Sequence, residues 1–177
     1  GGGMNLEYLL ASLPLLTPGR PPGITPADFR AACEEQLSPS LAAAAAALLE
    51  DRPCDHPFAR EWRARETILR HAVARRRAAR RGDEAPREQL AARGSDLRIE
   101  NGVAAAFEQP DPLQRERALD RLRWNVLDEL QGCQPLTREA VLAYAVRLRM
   151  LEHWRLLDAR AGKERLERLA ALPPLPV

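Results

Sequence analysis

The sequence predicts an all-α protein, a helical bundle organised around one long antiparallel helical hairpin at about 112–131 and 138–160. Apolar residues recur at three- and four-residue spacing through most of the chain. No stretch keeps the strict alternation of a half-buried strand. Pro or Gly, often beside a hydroxyl or an acid, stands at most points where the spacing breaks. The 177 residues are enough for one core, read here as a single helical domain over 4–173 with a tail at 174–177. Gly1-Gly2-Gly3 ahead of Met4 reads as a cloning remnant.

Residues 4–13 are apolar and short and favour a helix, and Pro14 to Gly23, with four prolines and two glycines, is a loop. Thr25-Pro26-Ala27-Asp28 combines a hydroxyl N-cap, proline at the first helical position and an acid in the first turn. Phe29, Cys33 and Leu37 then fall on one face. Ser38-Pro39 repeats the start signal before Leu41 to Leu49, whose six consecutive alanines favour helix and allow another helix close approach. A third helix runs from Pro57 to Arg81 and stops at Gly82. Residues 83–109 hold weaker helical pieces broken by Pro86, Gly94 and Gly102, and an internal boundary is expected there. Asp111-Pro112 opens a helix that ends at Gly132, and Thr137 caps the next, from Arg138 to about Arg160. A separate short helix is expected from Lys163 to Leu172.

The wheels indicate which faces are buried. Leu113, Leu119, Leu122, Trp124, Val126, Leu127 and Leu130 share an arc with Glu116, Asp120 and Arg123. Val141, Tyr144, Ala145, Leu148 and Leu151 share a face with Glu152 and Arg155, while Val146, Met150 and Leu157 form a second stripe. A helix apolar on two sides belongs at the centre of the fold. Each long helix carries one tryptophan (Trp62, Trp124, Trp154), expected in the core. Arginines within apolar arcs need anions. A hairpin centred near Gln134 pairs Arg155 with Glu116, while Asp120 serves Arg123 from one turn away.

Composition excludes several functions. Net charge is only +2, with Lys163 the sole lysine among 27 basic residues, so no global field favours nucleic acid or membrane. Cys33, Cys54 and Cys133 are odd in number and lack a C-x-x-C, which is not a disulfide framework. No apolar run approaches a membrane span, and no basic, signal-like start is visible, so direct membrane insertion is not expected and a cytoplasmic location is. There is no glycine-rich phosphate loop and no G-x-S-x-G elbow. Cys54-Asp55-His56 has metal-ligand chemistry but no second pair at ligand spacing, and reads as a helix start. His71, His153 and the pairs Glu34-Glu35 and Asp128-Glu129 read as helix surface. No catalytic, metal or cofactor site is indicated. Arg75, Arg76, Arg77, Arg80 and Arg81 crowd one helix end, either as a solvated end suited to the helix dipole or as a contact for an acidic protein surface. Nucleic acid is the weaker reading, because Asp83 and Glu84 follow at once and stacking aromatics are absent.

From Pro112-Leu113 through Glu116-Arg117, Leu119-Asp120, Arg123-Trp124 and Leu127-Asp128-Glu129-Leu130, the sequence resembles a bacterial family of unknown function, domain family 2764. Leu142-Ala143-Tyr144-Ala145, Leu148, Leu151-Glu152, Trp154 and Gly162 continue the resemblance. Leu10-Ala11-Ser12-Leu13-Pro14, Glu61-Trp62, Glu66 and Leu69-Arg70 extend it to the front, and 83–109 stay outside it. Cys133-Gln134-Pro135-Leu136 departs from the histidine and aromatic usual in that family's turn. Members are encoded in operons for V/A-type rotary ATPases. The helix from Thr137 is also similar to the last helices of the all-α central-stalk protein that bridges the rotor axle and the membrane ring in those ATPases. The resemblance implies a non-enzymatic subunit or assembly factor that binds the soluble or rotor portion of the ATPase and is peripheral at the membrane through it.

Overall fold

The computed structural model describes residues 3–83 and 96–171. They form seven helices and no strand among the described residues: α1 Gly3–Ser12, α2 Pro26–Gln36, α3 Pro39–Leu49, α4 Pro57–Arg81, α5 Leu97–Phe107, α6 Pro112–Gln131 and α7 Arg138–Ala170. The class is all-α, as the periodicity predicts.

Local chemistry sets the boundaries. Thr25 Oγ1 accepts the Asp28 N–H at 3.1 Å, and Asp111 Oδ1 accepts that of Leu113 at 3.1 Å. Asp96 Oδ1 caps α5 through the Arg98 N–H at 3.0 Å, and Thr137 Oγ1 takes the Ala140 N–H at 3.2 Å. Each satisfies a donor that the first helical turn leaves unpaired. Proline enters at the start of α2, α3, α4 and α6. Gly82, at φ 76°, ends α4 in the left-handed conformation that closes many helices. α3 closes the same way without glycine: Asp51 takes φ 55°, its N–H reaches Leu48 O, and the Arg52 N–H reaches Ala47 O at 2.7 Å. Arg149 holds this turn, donating to Leu48 O at 2.8 Å and to Asp51 Oδ1 at 2.9 Å.

α7 is the centre. It packs against α1, α2 and α3 on one side and α4 and α6 on the other, and α5 completes the second group against α4 and α6. Val141, Leu142, Ala143, Ala145, Val146 and Leu148 have no exposed surface. The alanine run of α3 is buried apart from Ala43 and packs on α7, where small side chains let two backbones approach. The Phe29 ring stacks on Tyr144 at 5.2 Å between centroids.

Two expectations are corrected. Residues 97–107 are one continuous helix, not broken pieces, and α5 is part of the core through Ile99, Val103, Ala106 and Phe107. Gly102 lies inside it, because a Cβ there would stand 2.6 Å from Leu122 Cδ1 of α6. The glycine marks a close helix crossing, so the expected boundary does not extend over 97–107. Residues 84–95, with Pro86 and Gly94, and the tail at 174–177 lie outside the described residues. Secondly, α7 runs through Gly162 without a stop, absorbing the separate helix expected from Lys163. A helical glycine costs about 1 kcal/mol against alanine, which the cooperativity of a 33-residue helix absorbs. No described helix is long and apolar enough to cross a membrane.

Candidate functional site

An ion-pair network joins α4, α6 and α7. Arg123 of α6 donates to both carboxylate oxygens of Glu66 on α4, at 3.0 to 3.2 Å, and to Asp120 Oδ1 at 2.8 Å. The second Asp120 oxygen accepts the Trp154 Nε1–H of α7 at 2.6 Å. The Arg123 side chain is 19% exposed, and Glu66 only 12%. Burial pulls the Arg123 pKa down, but Glu66 and Asp120 outweigh it and hold the guanidinium above its ordinary value. Glu66 also receives Arg70 at 3.0 Å.

The expected pair of Arg155 with Glu116 does not form. Arg155 turns back to Glu152 on its own helix, at 2.6 and 2.8 Å, and Glu116 is taken by Arg77 of α4 at 2.9 Å. The hydrogen bond from Arg155 holds the Glu152 carboxyl below its ordinary pKa. The cause lies in the register. Asp120 meets Trp154, and Arg147 meets Asp128 and Gln131, so facing pairs centre near residue 138 rather than Gln134. Long helical side chains lean toward their own N-termini, which moves antiparallel contacts to higher residue numbers by about one position on each helix and supplies part of this offset.

The arginines at the end of α4 are mostly committed within the fold. Arg75 pairs with Glu100 of α5 and Arg77 with Glu116 of α6. Arg80 donates to Phe107 O and lies over the Phe107 ring, and Arg81 pairs with Asp83. Arg76 and Arg80 are exposed and make no ion pair among the described residues, although Arg80 is held by Phe107. The cluster therefore fastens α4 to α5 and α6.

Of the three tryptophans only Trp62 is in the core, at 3% exposure. Trp124 and Trp154 are half-buried, each with an arginine over its ring: Arg147 on Trp124 at 5.4 Å and Arg117 on Trp154 at 5.2 Å. They fall at the edge of the apolar arc, where a large ring reaches the surface. Burial lowers the pKa of Arg147, partly offset by Asp128.

Both rings line a cavity of about 150 Å³, floored by Met150 and Leu151. Its outer wall is the loop Pro18-Gly19-Arg20-Pro21, and its rim carries Arg117, Arg121, Arg155 and Asp158. The loop is held in place by Tyr144 Oη, which donates to Pro14 O at 2.8 Å, and by Gly23, where a Cβ would lie 3.3 Å from Pro14. Composition reads this stretch only as a loop. No periodicity brings Arg20 to the hairpin, so Arg20, Arg117 and Arg121 escape a helical-wheel reading.

Beyond the cavity, α7 leaves the bundle. From Arg155 to Arg168 every residue is exposed, including Leu156, Leu157 and Leu166. Residues 155–170 extend about 24 Å at 1.5 Å per residue. Elsewhere, His56 Nδ1 caps α4 by accepting the Phe58 N–H at 3.2 Å. No grouping of three metal-ligating side chains occurs among the described residues. Cys33 is buried, and burial pushes its thiol up to about 12; Cys54 is half-buried and Cys133 exposed.

No curated protein and no solved structure matches the chain. Over residues 95–172, which carry α5, α6, α7 and all of the cavity lining except the loop at 18–21, the chain is similar to the family described as "Protein of unknown function (DUF2764)".

Proposed function

We propose that this chain is a non-catalytic, partner-binding component of a bacterial V/A-type rotary ATPase, a subunit or an assembly factor working at the cytoplasmic face. The observation that supports contact as its mode of action is the projecting half of α7. A helix that runs some 24 Å beyond its own core and carries leucines at 53% and 69% exposure along the way resembles half of an interface. The ATPase as partner rests on the resemblance at residues 112–130 and along α7. The arginines of α4 lend little to a nucleic-acid reading, since four of the five are engaged with groups of the fold.

The test is affinity capture of tagged chain from its native host, with mass spectrometry of what accompanies it. ATPase subunits should be recovered, and deletion of residues 159–177 should lower their recovery severalfold while leaving the bundle folded. Capture without any ATPase subunit, from cells that express the ATPase, overturns the assignment.

A further inference from the structure

The cavity between Trp124 and Trp154 has a size and charge that specify an occupant. Its volume, about 150 Å³, is that of an apolar cavity able to hold one benzene-sized group. Cofactor and nucleotide sites are larger, on the order of 300–1,000 Å³. One apolar side chain therefore fits, and a nucleotide does not.

The rim supplies the second half of the specification. Arg20, Arg117 and Arg121 make no ion pair among the described residues, and Arg117 Nε is buried without a hydrogen-bond partner. Arg155 is neutralised by Glu152, and Asp120 by Arg123. Asp158 is the one rim carboxylate without an ion pair among the described residues, so two positive charges remain in excess. Guanidinium groups over tryptophan faces leave their edge N–H donors free to bind carboxylates in a fork.

We propose that this cavity binds an acidic segment of a partner protein, with one aromatic or branched aliphatic side chain seated between Trp124 and Trp154 and flanking carboxylates held by Arg20, Arg117 and Arg121. The site deepens the partner-binding reading, which it rests on, and adds a recognition element at the base of the projecting end of α7, whose Arg155 and Asp158 share its rim. Aromatic and arginine side chains around a pocket are the residue types that dominate interface energetics. A large apolar group inserted among unpaired arginines without counter-charge would leave them desolvated, so acidity in the partner is part of the requirement.

The probes are N-acetylated seven-residue peptides of Asp and Glu with Phe, Leu or Ala at the centre, plus one with Lys in place of the acids around Phe. Binding to the full chain is followed by tryptophan fluorescence and calorimetry at 20 and 200 mM salt. The Phe and Leu peptides should bind saturably, at least tenfold tighter than the Ala and Lys peptides, and more weakly at high salt. The substitutions Arg20→Ala and Arg121→Glu lie on exposed side chains and should each weaken the Phe peptide at least threefold without changing the melting temperature. Equal binding of Ala and Phe peptides, no saturable binding, or preference for ADP or single-stranded oligonucleotide overturns the proposal. Peptide binding lost while ATPase subunits still accompany the chain from cells would sink the cavity's role alone. Peptide binding retained without those subunits would sink the ATPase assignment alone.

Discussion

Replacing Arg123 with methionine removes the cation that α4, α6 and α7 share. Arg123→Met keeps most of the apolar stem but leaves Glu66, 12% exposed, and Asp120, 21% exposed, without the guanidinium that bonds them at 2.8 to 3.2 Å. Removing one partner of a buried pair costs about 3–5 kcal/mol. Two features place this site near the lower end: Glu66 keeps Arg70 and Asp120 keeps the Trp154 N–H. The expected loss is about 3 kcal/mol, and for a chain of this length about 6–12 °C in melting temperature. Urea unfolding followed by circular dichroism gives the free energy from the midpoint and slope. A second variant, Glu66→Leu with Arg123→Met, removes both charges and restores an apolar contact. Because a complete apolar replacement is often near neutral, it should cost less than Arg123→Met alone, a coupling of about 1.5 kcal/mol or more. Costs that simply add, or a single substitution within about 1 kcal/mol of the parent, would show that the network is solvated and does not hold the three helices together.

Gly102→Ala sets a helix-propensity gain of about 1 kcal/mol against a Cβ 2.6 Å from Leu122 Cδ1, so it should be destabilising by about 0.5–2 kcal/mol in the parent and stabilising in a Leu122→Ala background. The same sign in both backgrounds, by thermal melting, would show that α5 and α6 are not in close contact. Alkaline pH should weaken the fold through Cys33 and Tyr144, each raised to about 12 from ordinary values of 9.0 and 10.0 by burial. A raised folded value means that their stabilising contribution is complete below about pH 9 and lost as pH climbs toward 12, by up to about 1.4 kcal/mol per pH unit for each group. Cys33→Ala should flatten the urea-midpoint profile between pH 9 and 10, and a parent profile that is flat there would contradict the burial of this thiol.

The sequence carries the helix boundaries best, because their causes lie within four residues. Thr25-Pro26, Asp111-Pro112, Gly82 and Gly132 act through hydrogen bonds and backbone angles that composition alone reveals. It carries the central position of α7 as well, since two apolar stripes admit no other placement. Gly102 and Gly162 look alike in sequence yet differ in cause. The first is fixed by Leu122, twenty residues away, and the second has nothing within 4 Å and is simply traversed. Partner choice among charges is equally non-local: Arg123 finds Glu66 at a separation of 57 residues, which periodicity cannot see. Trp62 and Trp124 both lie in apolar arcs, but whether such an arc meets the core or its edge depends on how the helices cross.

The distribution of arginine bears on which face recognises a partner. An ion pair within the fold has already offset its desolvation, and an intermolecular contact there must break it before forming anything new. That argues against Arg75, whose pair with Glu100 is partly buried, as a docking contact, whereas the exposed pairs of Arg77 and Arg81 exchange readily and Arg80 makes no ion pair among the described residues. Arg20, Arg117 and Arg121 carry no such commitment to a carboxylate, and they converge from a loop and a helix on one apolar cavity. Arg117 lies over the Trp154 ring, and the surroundings are themselves anchored: Trp154 by Asp120, Asp120 by Arg123, and the loop by Tyr144. Arg117, ordered over the Trp154 ring, loses little further entropy on binding, which favours the cavity as a recognition site.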